Sequence, residues 1–288
     1  MKVLVTGAKG QLGFDVVKRL QLENIECHGI DREDMDITDD AEVKSYIANY
    51  SPDVVVHCAA YTAVDNAEEE KELCYRVNVL GTRYTAEACE EIDSKMIYIS
   101  TDYVFDGELD RPYEVDDKPN PINYYGQTKY EGELEVQSIL EKYFIVRISW
   151  VFGAHGNNFV KTMLKLGKER DEISVVSDQI GSPTYTVDVA ELLTDMIKTD
   201  RYGIYHATNE GYCSWYELAK EIFNVAGMDV KVNPILALDF KTIARRPNNS
   251  RLSKESLSDA GLKLLPFWRN SISDFVTSLN TDRIGEKL

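Results

Sequence analysis

The sequence is poor in the features that mark secreted, membrane-spanning or nucleic-acid-binding proteins. Five cysteines occur in 288 residues (Cys27, Cys58, Cys74, Cys89 and Cys213), an odd number with no Cys-x-x-Cys pair. That argues against a disulfide framework and for thiols buried in a reducing compartment. The four histidines are not clustered at ligand spacing, so no metal site can be read. No apolar run approaches the roughly 18 residues of a membrane span, and Met1 to Gly7 read as a strand entering a turn rather than as a signal peptide. A soluble, cytoplasmic protein is expected. Basic residues are also in deficit: 32 Lys and Arg stand against 49 Asp and Glu, a formal net charge of -17. Repulsion at that charge disfavours nucleic acid and anionic membranes as general partners, so an anionic substrate would need a local basic pocket.

What is present is an ordinary globular composition, 43% hydrophobic and 28% charged, long enough for a large α/β domain with a smaller one beside it. Val3-Leu4-Val5 leads into Gly7-x-x-Gly10-x-x-Gly13, after which Val16, Val17 and Leu20 follow helical spacing. Strand, glycine turn and helix suit a dinucleotide: glycines let the backbone approach a pyrophosphate, whose charge meets the free N–H groups of a helix N-terminus. A bare glycine triplet would also serve as a surface turn. A second apolar strand, residues 25–30, ends in Asp31, eighteen residues after Gly13, where a carboxylate would accept hydrogen bonds from the adenosine ribose. Arg32 beside it could instead face a 2′-phosphate, which leaves NADH, NADPH or either. Asp36-Ile37-Thr38 offers an acid and an apolar side chain near the adenine, and equally the start of a helix capped by Thr38, Asp39 or Asp40.

Asp53 to His57 is a continuous apolar run, as expected of a parallel strand buried on both faces, and His57 reads as part of it. The small residues Cys58, Ala59 and Ala60, then Tyr61, would let a ligand lie close to the strand's C-terminal end. Residues 70–91 predict one long amphipathic helix, with Asn78 polar on its inner side, either a satisfied amide or a bond holding a neighbouring loop. A fourth strand, Met96 to Ile99, runs into Ser100-Thr101-Asp102-Tyr103, which is turn chemistry or, for Thr101, a hydroxyl facing the ligand crevice. Tyr125 and Lys129 stand four apart in a predicted helix and share one face. An ammonium there could stabilise a phenolate whose unperturbed pKa is near ~10. A fifth strand, residues 144–148, ends near Trp150, which either walls a ligand or packs in a core.

Beyond Trp150 the alternation becomes irregular and Pro183, Pro234, Pro247 and Pro266 enter. The pattern predicts an α/β fold. A Rossmann-type doubly wound parallel sheet covers 1–150, and a smaller C-terminal α/β substrate domain covers 151–288, with part of 187–206 returning to the first. Helices are expected over 187–197 and 214–225.

In order and spacing, Gly7-x-x-Gly10-x-x-Gly13, Thr101 and Tyr125-x-x-x-Lys129 resemble the extended short-chain dehydrogenase/reductase superfamily over nearly the whole chain. Within it, Gly10 to Gly13, Cys58 to Thr62, Ser100 to Phe105, Trp150, Asn157 to Val160 and Asp178 to Thr184 look like dTDP-4-dehydrorhamnose reductases. The resemblance implies an oxidoreductase that uses NADPH or NADH to reduce dTDP-4-dehydro-6-deoxy-L-mannose to dTDP-L-rhamnose, the last step of dTDP-rhamnose biosynthesis. By the same resemblance Tyr125 would protonate the developing alkoxide, Lys129 would depress the tyrosine pKa and hold the nicotinamide ribose, and Thr101 would bond the substrate oxygen. Gly7, Gly10, Gln11, Leu12, Gly13, Asp31, Arg32, Asp36, Ile37, Ala59, Ala60 and Tyr61 would line the dinucleotide with Tyr125 and Lys129. Asp102, Trp150, Asn158, Gln179, Pro183 and Arg246 would join Thr101 on the nucleotide sugar. The doublet Arg245-Arg246, where a small residue usually precedes a single Arg-Pro, leaves the register of the basic contact between the two. Some relatives bind magnesium at a dimer contact; a homodimer is compatible with the sequence, but no magnesium site is readable in it. Two rivals stand: another nucleotide-sugar epimerase or dehydratase, and a non-catalytic dinucleotide-binding regulatory subunit.

Overall fold

The computed structural model describes residues 1–285. Its centre is a six-stranded sheet made of β1 (Lys2–Thr6), β2 (Glu26–Ile30), β3 (Val54–His57), β4 (Lys95–Thr101), β5 (Tyr143–Ile148) and the strand Gly203–His206. From one edge the order is Gly203–His206, β5, β4, β3, β1, β2, and every pairing is parallel. Helices cover both faces, which is why the central strands read as continuous apolar runs. Val3, Val5, Val54, Val56, Ile97 and Val146 face α1 (Gln11–Leu22) and the helix Thr186–Met196. Leu4, Val55, Met96, Tyr98 and Ile145 face the other way, into a core with residues of α2 (Asp40–Tyr50), α4 (Gly81–Glu91) and α5 (Tyr124–Ile139).

The expected single helix over 70–91 is interrupted. A short α3 (Lys71–Tyr75) runs into a π-helical turn, Arg76–Leu80, before α4 begins. The wide turn contains Asn78, whose Oδ1 accepts from Tyr61 N at 2.8 Å and whose Nδ2 donates to Thr128 Oγ1 at 3.1 Å. A buried amide that must meet a loop on one side and α5 on the other explains the departure from regular helix. It does hold the neighbouring loop.

A second, smaller unit pairs Glu172–Val176 with Lys231–Ile235 in parallel and surrounds them with the helices Phe159–Glu169, Trp215–Ala226 and Trp268–Gly285. Phe152, Phe223, Trp268 and Phe275 form its core. Chain from beyond residue 150 also serves the large unit: the strand Gly203–His206 pairs with β5, and Leu257, Leu262 and Leu265 pack into the core of the large sheet.

The sheet's strand order reverses between β3 and β1, and in open sheets of this kind the ligand crevice lies at the C-terminal ends of such a pair. Gly7 has φ of 67°, and a Cβ there would lie 2.8 Å from Ala59 N. Gly13, in the first turn of α1, sits so close to the glycine turn that a Cβ would fall 2.2 Å from Gly7 O. Both contacts are with backbone, which cannot swing away. Gly13→Ala is expected to lower the unfolding free energy by about 1–3 kcal/mol in urea titrations; a loss below about 0.5 kcal/mol, the range of an ordinary surface change, would show slack in the turn.

Candidate active site

The dinucleotide side of the crevice is built from ends of elements. Gly10 is the N-cap of α1, without a side-chain cap and with no acid in the first turn, so Gln11, Leu12 and Gly13 present the amides that a helix leaves unpaired. Asp31, at the end of β2, accepts from Lys9 N at 3.0 Å and Arg32 N at 2.8 Å, bracing the glycine turn, while Arg32 is exposed beside it. Asp36 accepts from both the backbone and the hydroxyl of Thr38 at 2.9 Å, and these bonds hold its carboxyl below the usual range with help from Arg32 and Arg76. Asp39 caps α2, and Ile37 packs against Gly81. Across the crevice, Thr6 Oγ1 accepts from Ala59 N at 3.2 Å, and Ala59, Ala60 and Tyr61 are half-buried. Tyr61 donates its phenol to Glu70.

The chemical centre lies where β4 meets α5. Asn123 starts that helix by accepting from Gly126 N at 2.7 Å, and Tyr125 and Lys129 then fall on its inner face. Thr101 donates to Asp102 at 3.1 Å and accepts from Tyr103 N at 3.2 Å, and Tyr103 sets its ring edge-on to Tyr125 with centroids 6.0 Å apart. Burial pushes the Tyr125 phenol above its ordinary range; Asp102 adds to this, while a hydrogen bond with Thr101 opposes it. Burial lowers Lys129 to about 7 against the pull of Glu133, and its Nζ lies 4.0 Å from the centroid of the Tyr98 ring. Burial likewise raises Asp102 to about 6, with the hydroxyls of Ser250 and Thr101 working against it. His57 stays neutral, pushed down to about 3 by burial, its Nδ1 2.9 Å from Thr6 Oγ1.

On the far side, Arg246 is half-buried and grips Asp65 with two nitrogens at 2.8 and 3.2 Å. It also hydrogen-bonds Tyr103, while Arg245 is exposed and gives only its carbonyl, to Asn123. Trp150 adopts a left-handed φ of 47° and stacks on Trp215 with centroids 3.6 Å apart. Gln179 and Pro183 are buried in the loop that passes its edge, where a Cβ on Gly181 would touch the indole. Asn158 caps the helix Phe159–Glu169 and donates its amide to Gln11 Oε1 and Gly153 O, both at 2.9 Å.

A family model described as RmlD substrate binding domain matches residues 1–281. The chain is 42% identical to a dTDP-4-dehydrorhamnose reductase of Aggregatibacter actinomycetemcomitans over 90% of this chain and 92% of the relative. The crystal structure of a dTDP-4-dehydrorhamnose reductase from Clostridium acetobutylicum matches with a TM-score of 0.95 and 43% identity, covering 97% of this chain and 100% of that one. Another, from Bacillus anthracis in complex with NADP, matches at 0.94 and 45% identity, covering 96% and 100%. The chain belongs to the dTDP-4-dehydrorhamnose reductase family.

Set against this family, several side chains stand elsewhere than the sequence suggests. Lys129 rests on Tyr98, and burial dominates Tyr125, so the phenol is raised where a lysine-depressed one is expected. The amide of Asn158 is engaged by Gln11 and Gly153, which makes it a link between the two units. Of the two arginines it is Arg246 that reaches Tyr103, already paired with Asp65. Asp65 and Asn123 stand beside these arginines, Asp65 paired with Arg246 and Asn123 bonded to the carbonyl of Arg245. Asn123 was readable as an N-cap before Tyr124, whereas Asp65 begins an acid-rich stretch with no distinguishing spacing.

Asp102 yields a stability test. Its folded pKa is raised to about 6, so ionisation costs stability above that pH, and the cost is relieved as pH falls through it toward the ordinary value near ~3.9. Asp102→Asn is therefore expected to raise the unfolding free energy at pH 8 by about 1–3 kcal/mol and to flatten the dependence below it. Urea titrations at several pH values check this; a variant less stable at pH 8 with an unchanged slope would contradict it.

Proposed function

We propose that the chain reduces dTDP-4-dehydro-6-deoxy-L-mannose to dTDP-L-rhamnose with NADPH or NADH. The observation that carries the reading is the placement of Tyr125 and Lys129 on the inner face of α5, with Thr101 hydrogen-bonded to Tyr125, in a chain that also carries the glycine turn. The glycine turn fits that cofactor: α1 has no side-chain cap and no acid in its first turn, and a Cβ at Gly10 would meet only the Gly7 carbonyl. When bound, NAD(P)H supplies the hydride to sugar C4. Gln11, Leu12 and Ala59 to Tyr61 would hold it from both sides, and Asp31 and Arg32 would meet the ribose and any 2′-phosphate.

The chain's own part is proton transfer and charge placement. A phenol raised by burial stays protonated at neutral pH, so Tyr125 suits the donor that protonates the oxygen of C4. Lys129 would stabilise the tyrosinate left behind, and Thr101 would bond the same substrate oxygen. Trp150, Asn158, Gln179, Pro183, Asp102 and Arg246 complete the proposed sugar and nucleotide side; Arg246 would exchange Asp65 for diphosphate oxygens, and Asn158 would act through its backbone or through Gln11. Tyr103 stands where a dehydratase of this superfamily would need a second acid, and its phenol is raised by burial, which leaves it a poor base. Among the described residues no helix is long and apolar enough to cross a membrane. The enzyme would work in the cytoplasm, as a homodimer.

Tyr125→Phe is expected to lower turnover by about 10²- to 10⁴-fold while dinucleotide binding, read by fluorescence titration, stays nearly intact. Retention of activity within about tenfold would remove Tyr125 from the mechanism. Both cofactors are expected to serve, and Asp31→Ala should shift preference toward NADPH; a preference of more than about a thousandfold for either one would contradict the shared role of Asp31 and Arg32. The function itself is tested by incubating purified protein with a panel of nucleotide-linked keto sugars. Net oxidation of one NAD(P)H per dTDP-4-dehydrorhamnose is the expected result. Conversion of dTDP-glucose or UDP-glucose without net oxidation, with that keto sugar untouched, would overturn the reading in favour of a dehydratase or epimerase.

A further inference from the structure

Four residues past Lys129, on the same inner face of α5, Glu133 is fully buried. Its carboxylate accepts from Arg147 Nε at 2.9 Å and Nη2 at 2.7 Å, and from Ser100 Oγ at 2.5 Å. Arg147, on β5, is buried just as deeply, with Nη1 3.3 Å from both Val115 O and His206 Nε2. His206 Nδ1 lies 3.2 Å from Ser253 O, which places its single proton there and turns the bare nitrogen to the guanidinium. A salt bridge this deep is a poor source of stability, because the desolvation of two ions roughly offsets their attraction.

Its geometry suggests a different use. On this face β4 bonds α5 through Ser100 at Glu133 and through Tyr98, whose hydroxyl donates to Lys129 O at 3.2 Å. With Arg147 reaching in from β5, the helix is pinned against rotation about its own axis, and that rotation decides where Tyr125 and Lys129 point. We propose that Glu133 is a positioning residue for the reduction, locked to Arg147 and Ser100 so that Tyr125 and Lys129 are held toward the crevice.

The same carboxylate acts on Lys129 electrostatically. The other groups facing that ammonium are Tyr98 on β4, His57 and Cys58 at the end of β3 and Cys74 on α3. Burial keeps His57 neutral and raises Cys58 to about 12 and Cys74 above its usual value, so Glu133 is the charged one among them. It works against the burial that draws Lys129 down to about 7. Removing it lowers the lysine further, so the ammonium is lost at a lower pH.

This role rests on the reductase reading, and one experiment separates the two. Glu133→Gln keeps the side chain's shape and removes its charge, and Glu133→Gln/Arg147→Met leaves no buried charge unpaired, so the double variant carries the test if the single one unfolds. In each, kcat for the keto sugar is expected to fall about tenfold, with the alkaline limb of its pH profile moved down by about one unit. Failure of the wild-type protein to oxidise NAD(P)H would overturn the reading and the proposal with it. Normal wild-type turnover with an unshifted limb in the folded variants, whatever their melting temperatures, would make the pair merely structural and overturn the positioning role alone.

Discussion

The site depends on α5 lying with one face pressed against the C-terminal halves of β4 and β5. That contact buries the Lys129 amine and half-buries the Tyr125 phenol, and the loss of water shifts both away from their ordinary titration ranges. Such burial is expensive. It is tolerated because the surrounding core, Leu4, Val55, Met96, Tyr98, Val136 and Ile145, supplies apolar area on the same face of the sheet, and because the charge of Glu133 is met by Arg147 rather than left alone. In a dry site of this kind, a hydrogen bond or charge aimed at a reacting oxygen acts more strongly than it would in water.

The second constraint is registration between the two units. The glycine turn offers amides for a dinucleotide, but a hydride can pass only if the sugar is held in line with it. Contacts across the boundary do this directly: Asn158 donates to Gln11 beside the glycine turn, and Tyr185, in the smaller core, leads straight into Thr186, which donates to the buried Asp15 of α1. The strand Gly203–His206 and the leucines near residue 260 extend the larger core with chain from beyond Trp150. The smaller unit is thus braced on the larger one along several lines, consistent with a crevice whose walls keep a fixed spacing.

Much of this was legible because it is local or repetitive. Continuous runs such as Val54-Val55-Val56 announce strands covered on both faces, Gly7, Gly10 and Gly13 announce a backbone that must come close to something, and Tyr125 and Lys129 share a helix face by spacing alone. Ser214 with Glu217 marks the start of the helix Trp215–Ala226 as a capping box. What escaped depends on contacts between distant segments. Asp65 stands 181 positions from its partner Arg246 and has no local signature. The π-helical turn around Asn78 follows from a loop and a helix that meet there only in the folded chain, and the resting place of Lys129 on Tyr98 follows from the packing of β4 against α5. Spacing shows which side chains share a face but leaves open which neighbour each one meets.

The central claim is that hydride ends on the sugar and the proton beside it comes from the protein. Its most direct test uses NADPH carrying deuterium at the transferable position of the nicotinamide, with dTDP-4-dehydrorhamnose as substrate and NMR of the product. The account predicts one deuterium at C4 of the deoxysugar, matched by an equal amount of oxidised cofactor, and no carbon-bound solvent deuterium when the reaction is repeated with unlabelled NADPH in heavy water. Label retained in the cofactor, or solvent deuterium fixed at a ring carbon by the enzyme, would contradict it.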